Sequence, residues 1–380
     1  MVGMSNYDVI VLGTGGVGSA AAMHLAKRGV KVLGLDQFEH AHNQGSSHGQ
    51  TRAIRMAYFE RADYVPLLRR AYQLWDVLEA THGEKLFHQV GLLEIGPSDG
   101  IVVPGVLSAA RQHDLPVEEL PRADVAERFP AFVMPDDALA VFEQNAGFLM
   151  VEDCVRSHLR EAERHGAELH QNERVVSWSA GGEDAVSVQT EHAEYHAGRL
   201  VITAGAWATS LLSELSIPLE VRRKHLHWFA TENNHYHIDS GTPTFFFELA
   251  DKSFFYGFPR LDDRGVKVAE HSGGEIVTDP SKLNRDVDAD DRGRVENFLT
   301  GHLPEVTLQP TRHCVCMYTM TSDEQFIVDQ HPQHPQVTFT AGLSGHGFKF
   351  TPVLGEALAD LALEGDSELP IGFLGAGRFA

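Results

Sequence analysis

The sequence predicts a mixed α/β fold with more than one domain. The chain has 380 residues, too many for one small core, and a domain size of roughly 150 residues gives two or three units. It begins in the order strand, glycine turn, helix and strand, which is typical of a parallel sheet covered by helices. Residues 215–310 are instead rich in aromatic side chains in a strand-like pattern, and the last segment returns to alternating strands and helices.

The composition is that of an ordinary globular protein. Apolar residues make up 43% and charged residues 22% of the chain, so wholesale disorder, collagen and coiled-coil fibres are excluded. The 53 acidic and 31 basic residues give a net charge of −22. Such a surface does not attract phosphate backbones or anionic lipids, and we expect neither nucleic acid nor a membrane as a partner.

Cysteine content and hydropathy predict a cytoplasmic protein. Three cysteines cannot form a disulfide framework in a chain of this size and lack zinc-type spacing, which favours a reducing compartment. No apolar run reaches the ~18 residues of a membrane span. The first apolar stretch follows Asp8 rather than a basic region, so we expect no targeting segment.

The first structural unit extends from residue 7 to residue 36. The apolar run Tyr7–Leu12 predicts a strand, the segment GTGGVG at 13–18 a tight turn, and the Ala-rich stretch to Arg28 a helix. A second strand, 30–35, ends in Asp36, about 20 residues after the first glycines, at the spacing of dinucleotide-binding units.

Each conspicuous residue of this unit has a physical role in binding a dinucleotide. Gly13, Gly15 and Gly18 permit the tight turn, the close approach of a pyrophosphate to the helix N-terminus, and close packing of the helix. Asp36 would accept hydrogen bonds from ribose hydroxyls. Because an acidic residue there disfavours a 2′-phosphate, FAD or NAD is favoured over NADP.

The later elements follow from periodicity. Apolar residues at helical spacing predict a helix over 62–83. We expect further helices at 124–128 and 152–166, and strands at 91–95, 173–178, 186–189 and 199–203. Aromatic runs at 245–247 and 254–258 belong to the predicted sheet of residues 215–310. Strands at 326–329 and 337–341 precede a helix over 352–364 that should pack back on the first domain.

Three further segments carry a more specific pattern. They are GSSHGQTRAIR at 45–55, CMYT at 316–319 and GLSGHGFK at 342–349. Together with the glycine turn, and in this order, they resemble the monomeric sarcosine oxidase and N-methyltryptophan oxidase family, FAD-dependent amine oxidases of the D-amino acid oxidase superfamily. The resemblance extends from Asp8 to the helix after Pro352 and is weakest between residues 97 and 145.

The resemblance implies the domain organisation. It implies a glutathione-reductase-like, FAD-binding Rossmann domain interleaved with a sheet-based substrate domain. The FAD-binding domain is expected at residues 1–90, 147–215 and 312–380. The substrate and catalytic domain is expected at 91–146 and 216–311.

The resemblance also implies FAD as the cofactor, with a covalent 8α thioether link through Cys316. A thiolate must add at the flavin methyl position, so a nearby cation would help. The alternative is a small buried thiol, as we assume for Cys154, and Cys314 would face the same side of a strand as Cys316. The other residues that the resemblance places at the cofactor are Gly13, Gly15, Gly18, Asp36, Ser46, His48, Arg52, Val175, Gly345 and Lys349.

Two cations are expected at the substrate. By position, Arg55 resembles the arginine that holds the substrate carboxylate, and Lys349 resembles its second cation; a guanidinium binds a planar carboxylate in bidentate fashion. Surface salt bridges are the alternative role for such residues. Arg52 and Arg55 would share a face on a helical turn but diverge in an extended chain, and the sequence leaves this open. Arg52 and His48 would lie near the flavin ring.

The remaining catalytic residues are also implied by the resemblance. Lys267 matches the residue over the flavin that promotes reaction with O2, because a fixed positive charge stabilises the superoxide formed first. Its alternative is a solvent-facing lysine on a half-buried strand. Tyr256, His271 and Tyr318 match positions near the bound amine, although a buried tyrosine or histidine is often only structural.

The resemblance implies oxidation of a secondary amino acid, with N-methyl amino acids such as sarcosine favoured, and reduction of O2 to H2O2. Alternatives are a bulkier substrate (N-methyltryptophan, pipecolate or a fructosyl amino acid), a dehydrogenase that passes electrons to a protein acceptor, and a flavin-binding sensor without turnover. A monomer is expected. No catalytic metal is expected, although the chain has 22 histidines, because His331 and His334 lie in a Pro-rich turn while His225 and His227 alternate on a strand.

Overall fold

The structure is a computed structural model that describes residues 7–182 and 185–379. Residues 1–6, which belong to the segment expected to carry no targeting signal, lie outside the described residues. Within the described part, no helix is both long enough and apolar enough to cross a membrane.

Strands and helices alternate along the described residues. The strands are β1 Tyr7–Leu12, β2 Val32–Leu35, β3 Thr51–Ile54, β4 Phe87–His88, β5 Leu92–Pro97, β6 Glu118–Leu120, β7 Ala138–Glu143, β8 Gly147–Met150, β9 Glu168–His170, β10 Val175–Ala180, β11 Val186–Thr190, β12 Glu194–Ile202, β13 Glu220–Thr231, β14 Thr244–Glu248, β15 Phe254–Phe258, β16 Val266–Glu270, β17 Val306–Met320, β18 Ile327–His331 and β19 His334–Ala341. The helices are α1 Gly16–Lys27, α2 Val65–His82, α3 Val102–His113, α4 Arg122–Arg128, α5 Val151–Arg164, α6 Ala208–Leu211, α7 Ala289–His302 and α8 Thr351–Glu364.

The first sheet contains the predicted nucleotide-binding unit. Its order is β10-β11-β12-β1-β2-β9, with β19 beside β12 and β18 beside β19. Strand β1 is parallel to both β2 and β12, so its two faces need cover, and its residues 9–11 are fully buried. Helix α8 packs on α1, as expected, so closely that a Cβ on Gly355 would lie 2.6 Å from that of Ala20.

The second sheet is mixed and has the order β17-β13-β16-β15-β14-β5-β7-β6. It joins strands from residues 91–146 to strands from residues 216–311, and β17 completes one edge. The expected domain boundary at residue 312 falls within β17; the division into domains stays a prediction. The aromatic runs fill the core of this sheet, where Phe245, Phe247 and Phe255 are buried. A third, small sheet has the order β3-β8-β4. The mixed α/β fold class is thereby confirmed.

Candidate active site

A cavity of about 520 Å³ reaches both large sheets. It is lined by the glycine turn after β1 and by Asp36 after β2. Arg55, Tyr256 and Lys349 line it as well. The carboxyl ends of parallel strands are the usual position of ligand sites in open α/β sheets.

The glycine turn has no room for side chains. Gly13 has φ of +88°, and a Cβ there would lie 2.7 Å from the Thr203 carbonyl oxygen. A Cβ on Gly18 would lie 1.8 Å from the Gly13 carbonyl oxygen, so helix α1 begins directly against the turn. Gly15 caps α1, and the first amide of the helix, that of Gly16, donates 3.1 Å to Ser47 Oγ. Gly15, Gly16 and Val17 line the cavity, so the helix N-terminus faces an anionic group bound there.

Asp36 connects the glycine turn after β1 to the chain after β2 through hydrogen bonds. One carboxylate oxygen accepts a hydrogen bond of 2.8 Å from the Thr14 amide, and the other accepts one of 3.0 Å from the Phe38 amide. The Asp36 side chain also lines the cavity, as does Val175. A carboxylate has about four acceptor positions, so Asp36 retains capacity for ribose hydroxyls. Glycine turn, helix N-terminus and carboxylate together fit the ADP portion of FAD.

Cys316 lies beside a guanidinium. Its Sγ accepts a hydrogen bond of 3.3 Å from Arg52 Nη2, which also donates 2.9 Å to the Ser46 carbonyl oxygen. A cation at this distance stabilises a thiolate. Burial raises the pKa of the Cys314 thiol to about 11 and holds that of Cys154 well above its usual range. Within the cavity, Cys316 is thus the thiol whose surroundings suit a reaction with flavin.

Arg55 diverges from Arg52, because the chain between them is the extended strand β3. Arg55 Nη2 donates to both carboxylate oxygens of Glu60, at 2.6 and 2.5 Å, and Arg55 Nε lies 3.5 Å from Glu94. Burial alone would raise the pKa of Glu60, but the Arg55 guanidinium lowers it to about 2. The guanidinium also lies over the rings of Tyr58 and Phe59, at 4.7 and 4.5 Å.

Lys349 supplies a second buried cation to the cavity lining. Its Nζ donates 2.6 Å to the His346 carbonyl oxygen and approaches the Tyr58 hydroxyl at 3.5 Å. Burial, followed by repulsion from Arg55, lowers the pKa of Lys349 to about 7, although Glu60 opposes this shift. The lysine is therefore close to half protonated near neutral pH.

Tyr256, His271 and Tyr318 form an aromatic and polar wall of the cavity. His271 Nδ1 lies 3.2 Å from the Tyr318 hydroxyl, and the Tyr256 ring meets the His271 ring edge to face. Burial, followed by repulsion from Lys224, lowers the pKa of His271 to about 3. The imidazole is thus neutral and can exchange hydrogen bonds with a neutral amine.

Three of the expected site residues do not line the cavity. Gly18 is covered by the turn. The His48 side chain, within segment 45–55, is buried, and burial lowers its pKa to about 3. Lys267 is fully buried rather than solvent-facing. Its Nζ donates 2.6 Å to the Gly49 carbonyl oxygen and 2.8 Å to that of Thr51, on the chain just before Arg52. The remaining expected residues, among them Ser46, Gly345, Gly13 and Gly15, all line it.

Sequence reasoning missed the buried carboxylates around Arg55. Glu94 has no hydrogen-bond partner at either oxygen, and burial holds its pKa well above the usual range. Glu143 accepts hydrogen bonds of 2.8 and 2.9 Å from the amides of Met56 and Ala57, and so fixes the chain after Arg55. Glu60 lies only five positions after Arg55, and this closeness in sequence could have suggested that the two residues pair. Nothing in the sequence indicated that Glu94 and Glu143 lie near Arg55.

The chain belongs to the FAD dependent oxidoreductase family, also called DAO, whose model matches residues 8–361. The expected family resemblance is thereby confirmed, and so is the dependence on FAD. The match covers the glycine turn, segment 45–55, Cys316 and Lys349.

Individual relatives are similar over nearly their whole length. A monomeric sarcosine oxidase of Streptomyces avermitilis is 40% identical, with 98% of each chain covered. An N-methyl-L-tryptophan oxidase of Yersinia pestis is 37% identical, over 98% of this chain and 100% of that protein. The solved open form of NikD, an unusual amino acid oxidase essential for nikkomycin biosynthesis, has a TM-score of 0.86 at 25% identity, with 97% of each chain covered.

Proposed function

We propose that this protein is an FAD-dependent amine oxidase that oxidises a secondary amino acid, with N-methyl amino acids such as sarcosine as its substrates. The observation that carries the proposal is the pair of buried cations, Arg55 and Lys349, in the lining of the cavity. The names of the relatives, sarcosine oxidase and N-methyl-L-tryptophan oxidase, support the substrate class.

Arg55 and Lys349 would hold the substrate carboxylate. A carboxylate that binds there displaces part of the interaction between Arg55 and Glu60, which now occupies the guanidinium. Arg55 Nε has no hydrogen-bond partner and is a ready donor. Because the guanidinium and ammonium are fixed and desolvated, they orient the substrate as well as attract it.

The wall of Tyr256, His271 and Tyr318 would receive the amine. A protonated amine would be a third cation in a region that already holds two, so the neutral imidazole and phenol should receive a neutral amine. FAD, when bound, supplies the two-electron acceptor and transfers the electrons to O2, which becomes H2O2. Oxidation of the amine gives an imine, and its hydrolysis converts sarcosine to glycine and formaldehyde.

We assign the oxygen step to Lys267 and the flavin link to Cys316. Lys267 Nζ donates to backbone carbonyls next to Arg52, which favours its protonated form and fixes it relative to that guanidinium, although burial lowers its pKa well below the usual value. Positive charge held in this way stabilises superoxide. For Cys316, the Arg52 contact supports a thioether to the flavin. A cytoplasmic monomer suits the three free cysteines.

A bulkier substrate is the second candidate. Phe245 and Phe246 line the cavity, and the Phe246 ring lies 5.7 Å from the His271 ring. An aromatic wall at this position would contact a large side chain such as that of N-methyltryptophan.

The test is an anaerobic titration of the purified yellow protein with sarcosine, followed by admission of air. Bleaching of the flavin absorbance that returns with air, together with peroxide, is expected. Bleaching only with N-methyltryptophan or pipecolate would select the bulkier class. Bleaching that air does not reverse would indicate a dehydrogenase, and a flavin that no amine bleaches would contradict the proposal.

Arg55→Ala tests the carboxylate site in the same assay. We expect KM to rise roughly 100-fold, because a desolvated charged hydrogen bond is worth about 3 kcal/mol. Arg61→Ala is the matched control, since Arg61 is an exposed arginine paired with Asp63, and its KM should not change. Equal KM values for the Arg55→Ala and unmodified proteins would place the carboxylate elsewhere.

A further inference from the structure

A cluster of three histidines lies on the β13–β17 ladder. His225 and His227 are two residues apart on β13, so their side chains share one face. His313 on β17 is the register partner of His227. The neighbouring pair in the same ladder, Lys224 and Cys316, points to the opposite face. The cluster therefore lies on the face of the β13–β17 ladder opposite to Cys316, the residue proposed to bind the flavin.

The three imidazoles present nitrogen atoms to a common point. One ligand atom from each histidine lies within 4.8 Å of the others, the only such group of histidine, cysteine or acidic side chains among the described residues. His225 Nδ1 is 2.8 Å from His313 Nε2. Three nitrogen ligands of a tetrahedral zinc ion lie about 3.4 Å apart, so small ring rotations suffice.

His227 is already arranged as a metal ligand. Its Nε2 is 2.9 Å from a carboxylate oxygen of Asp291, in the first turn of α7. Its Nδ1 is buried and has no hydrogen-bond partner. A carboxylate that holds one ring nitrogen fixes the proton there and leaves the lone pair of the other nitrogen free, which is the arrangement of zinc-binding histidines.

The surrounding charges permit a cation. The 2.8 Å contact between His225 Nδ1 and His313 Nε2 requires that one of these two nitrogens carries no proton, and an unprotonated ring nitrogen is the form that binds a metal. Arg223 is the cation on the same face of β13, but it pairs with Glu275 at 3.1 Å and lies 4.0 Å from Asp288. The Asp291 carboxylate adds negative charge next to the cluster.

We propose that His225, His227 and His313 bind one Zn²⁺ ion, with Asp291 as the positioning residue for His227. Three protein ligands leave a fourth position for water, and half-exposed His313 provides access from solvent. The ion would connect β13 to β17 and stabilise the ladder behind Cys316. It takes no part in amine oxidation, and so differs from the catalytic metal that the sequence argues against.

The experiment measures zinc per flavin in the holoenzyme. The protein is stripped with a chelator, incubated with Zn²⁺ and freed of unbound metal by gel filtration. The unmodified protein should retain one zinc per chain, and zinc should raise its Tm. His313→Asn should retain none and show no rise in Tm. His192→Asn, which changes an exposed histidine outside the cluster, should behave as the unmodified protein does.

Asp291→Asn separates a metal site from a merely structural cluster. It keeps all three ligands, so its zinc content at saturation should stay the same, while its affinity in chelator competition falls roughly 10–100-fold. Zinc content in the unmodified protein no higher than in His313→Asn would overturn the proposal. Equal zinc affinities for Asp291→Asn and unmodified protein would remove Asp291 from it. In the first case the three rings would be a hydrogen-bonded histidine cluster; in the second they would bind zinc without help from Asp291.

Discussion

Single residues in the cavity acquire their chemistry from neighbours that the chain brings from far away. The Arg52 guanidinium reaches Cys316 across 264 positions of sequence, whereas Cys314, two residues earlier, has its thiol pKa raised by burial. The pKa of Lys349 is lowered rather than raised, for the same reason: burial disfavours the charged form, which is the thiolate of a cysteine but the ammonium of a lysine.

Cys316→Ser should abolish covalent attachment of the flavin, because serine cannot supply a thiolate. After acid precipitation, the yellow colour of the unmodified protein should stay in the pellet, and that of Cys316→Ser should move to the supernatant. Cys314→Ser is the matched control and should keep its colour in the pellet. Colour in the supernatant of the unmodified protein would mean that no covalent link exists.

The ionisation of Lys349 should limit substrate binding at high pH. The Lys349 side chain is a charged ammonium when the pH is below its pKa of about 7 and a neutral amine when the pH is above it. A bound carboxylate raises that pKa because it favours the charged form. With KM expressed as the concentration of unprotonated amine, the form proposed to bind, we expect KM to rise as the pH increases beyond about 7, with kcat much less affected. On the same basis, Lys349→Met should have a high KM that no longer changes in this range. A KM profile in the variant parallel to that of the unmodified protein would assign the ionisation to another group.

At the scale of elements, close packing positions the cofactor site. Helix α1 meets the end of β1 with only glycine between them, and α8 packs onto α1 through Gly355. The polar residues that line the cavity follow these elements in short turns, so a small displacement of α1 moves the whole turn. Such contacts between backbones cannot relax by side-chain rotation.

Gly18→Ala should weaken FAD binding strongly. The new Cβ would lie 1.8 Å from the Gly13 carbonyl oxygen and 2.4 Å from Thr203 Oγ1, so α1 must move away from the turn. We expect purified protein with a markedly lower ratio of flavin to protein, measured by absorbance, and a lower Tm. Gly293→Ala is the matched control in helix α7, where a Cβ meets no atom within 4 Å. A normal flavin content in Gly18→Ala would contradict this account of the turn.

At the scale of the whole molecule, the −22 net charge and the buried histidines respond to acid in opposite directions. Protonation reduces the net negative charge and with it the repulsion within the folded state. Buried histidines have the contrary effect, because the native state keeps them neutral while the unfolded chain takes up protons. Outside the β13–β17 cluster, burial lowers the pKa to about 3 or 4 in five histidines: His24, His48, His158, His271 and His346.

Stability should therefore fall on acidification. The histidine contribution is fully present above the unfolded pKa of about 6.5 and is lost as the pH falls toward the folded values. We expect the Tm to decrease steadily over this range in a thermal melt. His158→Gln should make that decrease shallower, while His192→Gln, at an exposed position, should leave it unchanged. A Tm that stays constant or rises on acidification would show that the relief of charge repulsion balances or outweighs the effect of the histidines.

The sequence by itself determined the nucleotide-binding unit, the fold class and the family. Glycine spacing, an acidic residue after the second strand and apolar periodicity are local properties, so they survive without knowledge of any long-range contact. The segments 45–55, 316–319 and 342–349 also contain about a third of the residues that line the cavity.

Only the tertiary structure decided the partners of those residues. The alternation of apolar and polar residues along β16 could not show that Lys267 is buried, because β16 lies inside the second sheet and all five of its residues are buried. The pairing of Arg55 with Glu60 depends on the chain reversal after β3, and Glu94 reaches the same place from a different sheet. The meeting of His225, His227 and His313 depends on the register of β13 with β17. Register and burial arise from packing between distant segments, and a linear pattern does not encode them.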